Sequence, residues 1–318
     1  MSESLKDRLE AHQVWVYLLG AACGVGLSFL FSGFSAVADF LVWPLLAVLL
    51  LAAFAQTPLE RIPEAFRHRK FLATALLANF VVMPAFVWIL LRLMPADPAI
   101  RLGLALVLVM PCTDWFLTFT QLGKGNMPLA LSLTPVNLVV QLLLLPLYVP
   151  LLVGEDLPPL DLSVILAAVL VLLIPLAASV LAEFTLFKTP AGASVREGLS
   201  WLPVPLLAVV LACVTGANAP RLPLAASAAP SVVVATVTFA LFAVVAGVAL
   251  TKTLRLHPSH GRTLTFTLMS RNSFVVLPIA LALPAGWELT SLTIVTQSFV
   301  ELFALALAVH LVPRLIKA

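Results

Sequence analysis

The stretch "MPCTDWFLTFTQLGKGN", residues 110–126, places a proline and an aspartate inside a long apolar region. The chain reads "RLGLALVLV" over residues 101–109 and "MPLALSLTPVNLVVQLLLLPLYVPLL" over residues 127–152. Pro111 removes a backbone donor, and a proline inside a helix kinks or breaks it. A broken helix persists in a membrane only where protein or a water-filled cavity satisfies the freed backbone groups. The stretch therefore predicts a functional break within a membrane-spanning helix.

The whole chain is as apolar as the surroundings of this stretch. Of its 318 residues, 62% are hydrophobic and only 10% are charged, and the mean hydropathy is +1.10. A soluble protein of this length has too little interior to bury so much apolar surface. Windows of about 20 apolar residues, enough to span a bilayer, recur throughout. We predict an all-α membrane protein with ten transmembrane helices, at residues 13–32, 38–56, 71–94, 101–122, 127–152, 161–184, 199–218, 231–252, 262–283 and 289–313.

The charges in the loops between these spans predict the orientation in the bilayer. With the N-terminus in the cytoplasm, the inner side receives 14 of the 18 basic residues. Lysine and arginine concentrate on the cytoplasmic side of membrane proteins. Both termini are therefore expected in the cytoplasm. Removing or adding one span would reverse the later loops and abolish this bias.

Ten spans divide into two sets of five, which favours an internal repeat. Because each half has an odd number of spans, the second half starts on the opposite side and the repeat is inverted. A weak similarity supports this interpretation, since "LSLTPVNLVVQL" at 131–142 resembles "TSLTIVTQSFVEL" at 290–302. We expect one transmembrane domain, with repeat one at 13–152 and repeat two at 161–313.

Charged residues deep inside the spans are the strongest functional signals. Asp114 and Arg271 each lie roughly ten residues inside their spans, where an ionised side chain costs at least about 2.5–3.5 kcal/mol. We predict an ion pair between them across a transport site. The alternative is a pair that only locks two helices together, but buried pairs are poor stabilisers. Glu301 is a third buried charge, in "QSFVELFALALAV" of span 10.

Polar residues cluster around these charges in spans 4, 5, 9 and 10. Asn79 in span 3 is interpreted instead as an interhelical hydrogen-bonding residue. Cys112 is a candidate because it lies beside Pro111 and Asp114, whereas Cys23 and Cys213 are interpreted as small hydrophobic residues. The predicted site comprises Pro111 at the helix break, the substrate-binding residues Cys112, Thr113, Asp114, Arg271, Asn272, Ser273 and Glu301, the coupling-ion residues Asp114 and Glu301, and the further lining residues Asn137, Gln141 and Gln297.

Several classes of function have no signal in the sequence. It has no P-loop, no clustered His/Cys metal set and no Gly-x-Ser-x-Gly elbow. We therefore predict that the chain is not an enzyme and takes no cofactor or metal. Its expected partners are a small inorganic or organic solute, protons and the lipid bilayer, with no nucleic acid.

Ten spans, a fourth span with Pro-Cys-Thr followed by "GKGN", and a ninth span reading "SRNS" resemble one known group. It is the superfamily that joins bile acid:sodium symporters and arsenite permeases, and the nearest branch is the bacterial arsenic resistance proteins. The resemblance is sharpest over 108–142 and 265–314. It implies discontinuous helices 4 and 9 that cross near the midplane, and a bacterial inner (plasma) membrane location. It also implies a core of spans 3–5 and 8–10 that moves against a panel of spans 1, 2, 6 and 7.

The resemblance carries over to some positions and not to others. Pro111 matches the proline of the fourth-span break, and Cys112 matches the cysteine implicated in metalloid handling by arsenite permeases. The sodium-binding branch has Ser-Asn where this chain has Phe116 and Leu117, and a glutamate where it has Thr267. The familiar sodium ligands are therefore missing.

From these residues and from what the resemblance implies, we predict a secondary transporter, an antiporter that exports arsenite or a related metalloid oxyacid in exchange for protons. Asp114 is the expected proton carrier, because a carboxyl in a medium of low dielectric constant can bind and release a proton near neutral pH. An alternative is a sodium- or proton-coupled transporter of small organic anions, with Arg271 as the fixed cation that binds the solute. A membrane sensor that transports nothing is disfavoured, since it does not need two polar, broken spans.

Overall fold

The computed structural model describes residues 9, 12–94, 97–154, 157 and 162–317. Residue 161, where the predicted sixth span and second repeat begin, lies outside the described residues. Within the described ranges the regular elements are all helices, apart from one isolated bridge between two residues. The all-α prediction is therefore confirmed.

The longer helices, numbered in chain order, are α1 Gln13–Leu30, α2 Phe34–Ala55, α3 Arg69–Leu77, α4 Met83–Leu93, α5 Pro98–Leu108, α6 Trp115–Leu122, α7 Met127–Val153, α8 Leu162–Phe184, α9 Pro190–Leu199, α10 Pro203–Ala217, α11 Leu222–Thr253, α12 Pro258–Met269, α13 Ser273–Leu281 and α14 Glu288–Leu315. A π-helical turn at Ala78–Val82 joins α3 to α4. Three contiguous one-turn segments occupy residues 59–68.

By length and composition, six described helices can cross a membrane, or seven if the bent pair α9 and α10 counts as one span. One of the six is the 60-residue stretch Phe34–Leu93, which includes α2, α3 and α4 and contains most of two predicted spans. The predicted fourth and ninth spans are each divided into two helices shorter than 18 residues. The chain is a multi-pass membrane protein, while the count of ten and the inverted repeats stay predictions.

The chain divides into two compact units. The first comprises Met1–Thr57, Pro158–Ser227 and Phe274–Val295, and the second comprises Pro58–Leu157, Ala228–Ser273 and Thr296–Ala318. The first unit thus contains α1, α2 and α8 to α10. The second contains α3 to α7, α12, and most of α11 and α14.

In the first unit, α1 packs closely against α10 because small residues face each other. A Cβ added at Gly24 would lie 2.0 Å from the backbone oxygen of Ala212. Thr215 of α10 donates its hydroxyl to the carbonyl of Ala21 at 2.9 Å. Small residues that bring two backbones together are the usual basis of helix packing in membranes.

The second unit uses similar contacts around α12. A Cβ added at Gly247 of α11 would lie 2.3 Å from Oγ1 of Thr265 in α12. Tyr148 of α7 donates its hydroxyl to the carbonyl of Phe80 in the π-helical turn. These contacts hold α12 and α7 in place, and both helices carry residues of the predicted site.

Candidate functional site

Two helices of the second unit stop where the sequence is polar. Helix α5 ends at Leu108 and α6 begins at Trp115, and Pro111 lies between them. Asp114 precedes α6 with φ −119° and ψ −90°, outside helical values. Helix α12 ends at Met269, and the next helix begins at Ser273. The break predicted from Pro111 is therefore present, and the ninth span is interrupted as well.

The two breaks satisfy each other's backbone. Pro111 and Arg271 lie opposite each other as an isolated antiparallel bridge. The N–H of Cys112 donates to the carbonyl of Ser270 at 3.0 Å, and the N–H of Asn272 donates to the carbonyl of Met110 at 2.7 Å. The residues on either side of Pro111, Met110 and Cys112, thus make the hydrogen bonds between the two breaks. In this position its missing N–H leaves no bond unmade, and it still prevents the helix from continuing.

The side chain of Arg271 is fully buried and closes the ends of two helices. Its Nη1 donates to the carbonyl of Leu108, the last residue of α5, at 3.3 Å. Its Nη2 donates to the carbonyl of Thr267, in the last turn of α12, at 2.9 Å, and also to the carbonyl of Leu268. The last carbonyls of a helix have no partner within the helix and carry partial negative charge. The guanidinium therefore neutralises two helix ends at once.

Two further side chains contact the guanidinium. Asn79 accepts a hydrogen bond from Nη2 at 3.1 Å, and its own Nδ2 donates to Oγ1 of Thr267 at 3.3 Å. Asn79 thus bridges helices as expected. The ring of Phe239 in α11 lies 5.0 Å from Cζ of Arg271, in a cation–π contact.

The predicted ion pair between Asp114 and Arg271 is not formed. Among the described residues, every hydrogen-bond acceptor of the guanidinium is a main-chain carbonyl or the amide oxygen of Asn79. The prediction was wrong because it considered only side-chain charges. Unpaired carbonyls at two helix ends offer a cation several acceptors at once, whereas one carboxylate offers two.

The carboxylate of Glu301 is the second buried charge at the breaks, and it is 3% exposed. Its Oε1 accepts the main-chain N–H of Arg271 at 2.7 Å and the indole N–H of Trp115 at 3.1 Å. Its Oε2 accepts Nε2 of Gln297 at 2.6 Å. Three N–H donors suit an ionised carboxylate, so Glu301 fixes the second break to α6 and α14.

The other candidates of the fourth and ninth spans lie together around the breaks. Nδ2 of Asn272 donates to Oγ1 of Thr113 at 3.2 Å. The Sγ of Cys112 accepts the N–H of Asp114 at 3.4 Å. Cys112 and Asn272 are buried, whereas Thr113 and Asp114 are partly exposed. Ser273 is buried at the start of α13.

The lining residues predicted on α7 and α14 are buried, and several of their polar atoms have no partner among the described residues. Asn137 donates its Nδ2 to Oγ1 of Thr267 at 3.3 Å, and its Oδ1 has no partner. Gln141 lies one turn further on and has neither amide atom paired. The Oε1 of Gln297 and Oγ of Ser270 are also unpaired. Such atoms are expected where water or a solute binds.

Sequence reasoning missed three residues that surround the two buried charges. These are Trp115, Thr267 and Phe239. Trp115 had no predicted role, yet its indole is 3% exposed and donates a hydrogen bond to Glu301. The signal that was available is its place directly after Asp114 in the break. No local pattern indicates the role of Phe239.

Paired helix breaks that hold buried charges are typical of secondary transporters, which bind their solutes where membrane helices are discontinuous. The sequence model of one transporter family, the sodium bile acid symporter family, matches residues 43–222, more than half of the chain. The chain belongs to this family. The predicted superfamily is confirmed, while the closer relationship to arsenic resistance proteins stays a prediction. A comparison with curated proteins gives no significant match.

Proposed function

We propose that the paired breaks are the solute site of a proton-coupled secondary transporter, and that its solute is arsenite or a related metalloid oxyacid, which it exports. The observation that carries the proposal is that the pairing of the breaks brings Cys112, Thr113, Asp114 and Asn272 together. A thiol, a hydroxyl, a carboxyl and an amide there offer varied contacts to a small oxyacid. The proposed setting is a bacterial inner membrane with both termini in the cytoplasm.

Asp114 is the proposed proton carrier. It lies in a break, it is partly exposed, and it precedes the N-terminus of α6. Glu301 was also predicted as a coupling-ion residue, but its surroundings oppose that role. Both of its oxygens already accept N–H donors, so protonation of Glu301 would require the Gln297 amide to turn, whereas Asp114 is partly exposed at the break. We therefore assign Glu301 to holding the break and proton exchange to Asp114.

The metalloid assignment depends on the thiol of Cys112. Trivalent arsenic is thiophilic, and the thiolate is the form of cysteine that binds metals and metalloids. One thiol in the site offers a single exchangeable contact, whereas three would hold the solute too tightly for release. Cys23 and Cys213 belong to the first unit, on α1 and α10, and are not part of the proposed site.

Small organic anions are the second candidate solutes, and a specific observation favours them. Thr113 and Asp114 lie at the N-terminus of α6, and Asn272 reaches Thr113. Helix N-termini attract anions through their free N–H groups and dipole. Arg271, predicted earlier as the anion-binding residue, has most of its donors directed to protein carbonyls. A carboxylate would therefore bind at the α6 terminus instead.

The test is uptake of arsenite into inverted membrane vesicles with an imposed pH gradient, in sodium-free buffer. Asp114→Asn should abolish gradient-driven uptake while solute binding remains, because it removes the proton carrier and keeps the shape. Asp39→Asn is the matched control, since Asp39 is an exposed acid of the first unit. A strict sodium requirement, or full activity of Asp114→Asn, would disprove proton coupling. Uptake of a carboxylate but not of arsenite would favour the second candidate.

A further inference from the structure

Four oxygen atoms converge on the guanidinium of Arg271. Three are main-chain carbonyls, of Leu108, Thr267 and Leu268, and the fourth is Oδ1 of Asn79. They come from the C-terminal ends of α5 and α12 and from the turn between α3 and α4. Carbonyl and amide oxygens are the ligands that alkali and other hard cations prefer. The cluster thus has the chemistry of a cation site.

A cation that belongs to the chain already occupies this cluster. The Arg271 side chain is fully buried, and its nitrogen atoms lie 2.9–3.3 Å from Leu108 O, Thr267 O and Asn79 Oδ1. The ring of Phe239 covers its face. The name of the family implies a sodium ion, but these residues do not fit one here, because their oxygens are directed to N–H donors. The positive charge between the ends of α5 and α12 is therefore part of the chain itself, as the guanidinium of Arg271.

We propose that Arg271 is a tethered counter-ion, a side chain that takes the place of a free monovalent cation between the ends of α5 and α12. The paired breaks then keep their geometry without bound sodium. Replacing the guanidinium by a neutral side chain should leave the oxygen cluster without its cation. The vacated cluster should then bind sodium or free guanidinium from solution. The inference concerns the same breaks as the proposed function, but its test needs no transported solute.

The experiment measures the apparent Tm of the purified full-length protein in the chloride salts of sodium, potassium, guanidinium at low concentration, and choline, at equal ionic strength. We expect the wild-type Tm to be the same in sodium, potassium and choline. Arg271→Gln should melt about 6–20 °C lower in choline. Adding sodium or guanidinium should restore at least about half of the lost Tm of Arg271→Gln, with a dependence on cation concentration that saturates. Arg271→Lys is the matched control, since it keeps a charge and should remain insensitive to sodium.

Two results would overturn the proposal. One is a saturable stabilisation of the wild-type protein by sodium over potassium and choline. The other is an Arg271→Gln protein that folds but that none of these cations stabilises. If Arg271→Gln does not accumulate, it can be purified with guanidinium present throughout. The wild-type Tm in sodium, compared with potassium and choline, also tests the proposal without this variant. Because no solute is used, a failed arsenite or pH-gradient assay leaves this result unchanged, and the reverse also holds.

Discussion

Removal of the Glu301 carboxylate should destabilise the paired breaks more than removal of any surface carboxylate. Glu301→Ala leaves three buried donors without an acceptor: the main-chain N–H of Arg271, the indole N–H of Trp115 and Nε2 of Gln297. It also leaves the Arg271 guanidinium without its nearby negative charge. All these groups are buried, so water does not replace the lost acceptor.

The expected magnitude follows from the number of bonds lost. Breaking a buried charged group away from its partners costs about 3–5 kcal/mol. This range overlaps the lower end of about 4.5–9 kcal/mol, the sum for three hydrogen bonds to a charged group at about 1.5–3 kcal/mol each. Glu301→Gln should cost less, about 1–3 kcal/mol, because one oxygen is kept. The amide of Gln297 can also turn, so that its unpaired Oε1 accepts the new N–H.

The assay is the apparent Tm of the purified protein in detergent. At about 2–4 °C for each kcal/mol, Glu301→Ala should melt about 6–20 °C below the wild type, and Glu301→Gln should lie between the two. Glu64→Ala is the control, because Glu64 forms an exposed pair with Arg61 at 3.9 Å, and such pairs contribute little. A Glu301→Ala protein that melts with the wild type, or a Gln variant as unstable as the Ala variant, would refute the reasoning.

Three further predictions concern single side chains. Cys112→Ser should lower metalloid transport sharply and leave the fold intact. Cys213→Ser is the control at another buried thiol and should transport normally. Equal transport by the two variants would contradict the metalloid proposal. Gly24→Ala should lower the apparent Tm by the equivalent of about 1–3 kcal/mol, because the added Cβ would meet a backbone oxygen of α10 at 2.0 Å. Gly26→Ala is the control and should be neutral or slightly stabilising, since its Cβ would have nothing within 4 Å. A Gly26→Ala protein that melts below Gly24→Ala would contradict the packing of α1 on α10. Burial and two neighbouring histidines lower the pKa of His260 from its ordinary value of 6.5. The unfolded chain therefore binds the proton more tightly than the folded chain, and the free energy of unfolding should fall as the pH drops below 6.5. In a pH series of Tm measurements, His260→Gln should flatten this decline, and an unchanged decline would exclude His260 as its source.

The sequence by itself determined the membrane class and the place of the first break. Both depend on local chemistry. Long apolar segments place the chain in a lipid bilayer, and Pro111 interrupts the helical hydrogen bonds wherever it lies within a helix. The sequence also indicated that Arg271, Glu301 and Gln297 are buried polar residues, which the structure places at the breaks, because such groups are too costly to occur in a membrane span without a partner. These inferences need no knowledge of which helices are neighbours.

Only the tertiary structure decided how the buried charges are satisfied. The sequence suggested that Arg271 pairs with Asp114, the opposite charge at a matching position. In the folded chain Arg271 binds carbonyls at the ends of α5 and α12, and Glu301 binds the main-chain N–H of Arg271 and the indole of Trp115. Main-chain carbonyls and N–H groups are present at every residue and carry no sequence signal. They become ligands only where helices end, and the pairing of two breaks from distant parts of the chain determines which side chains reach them.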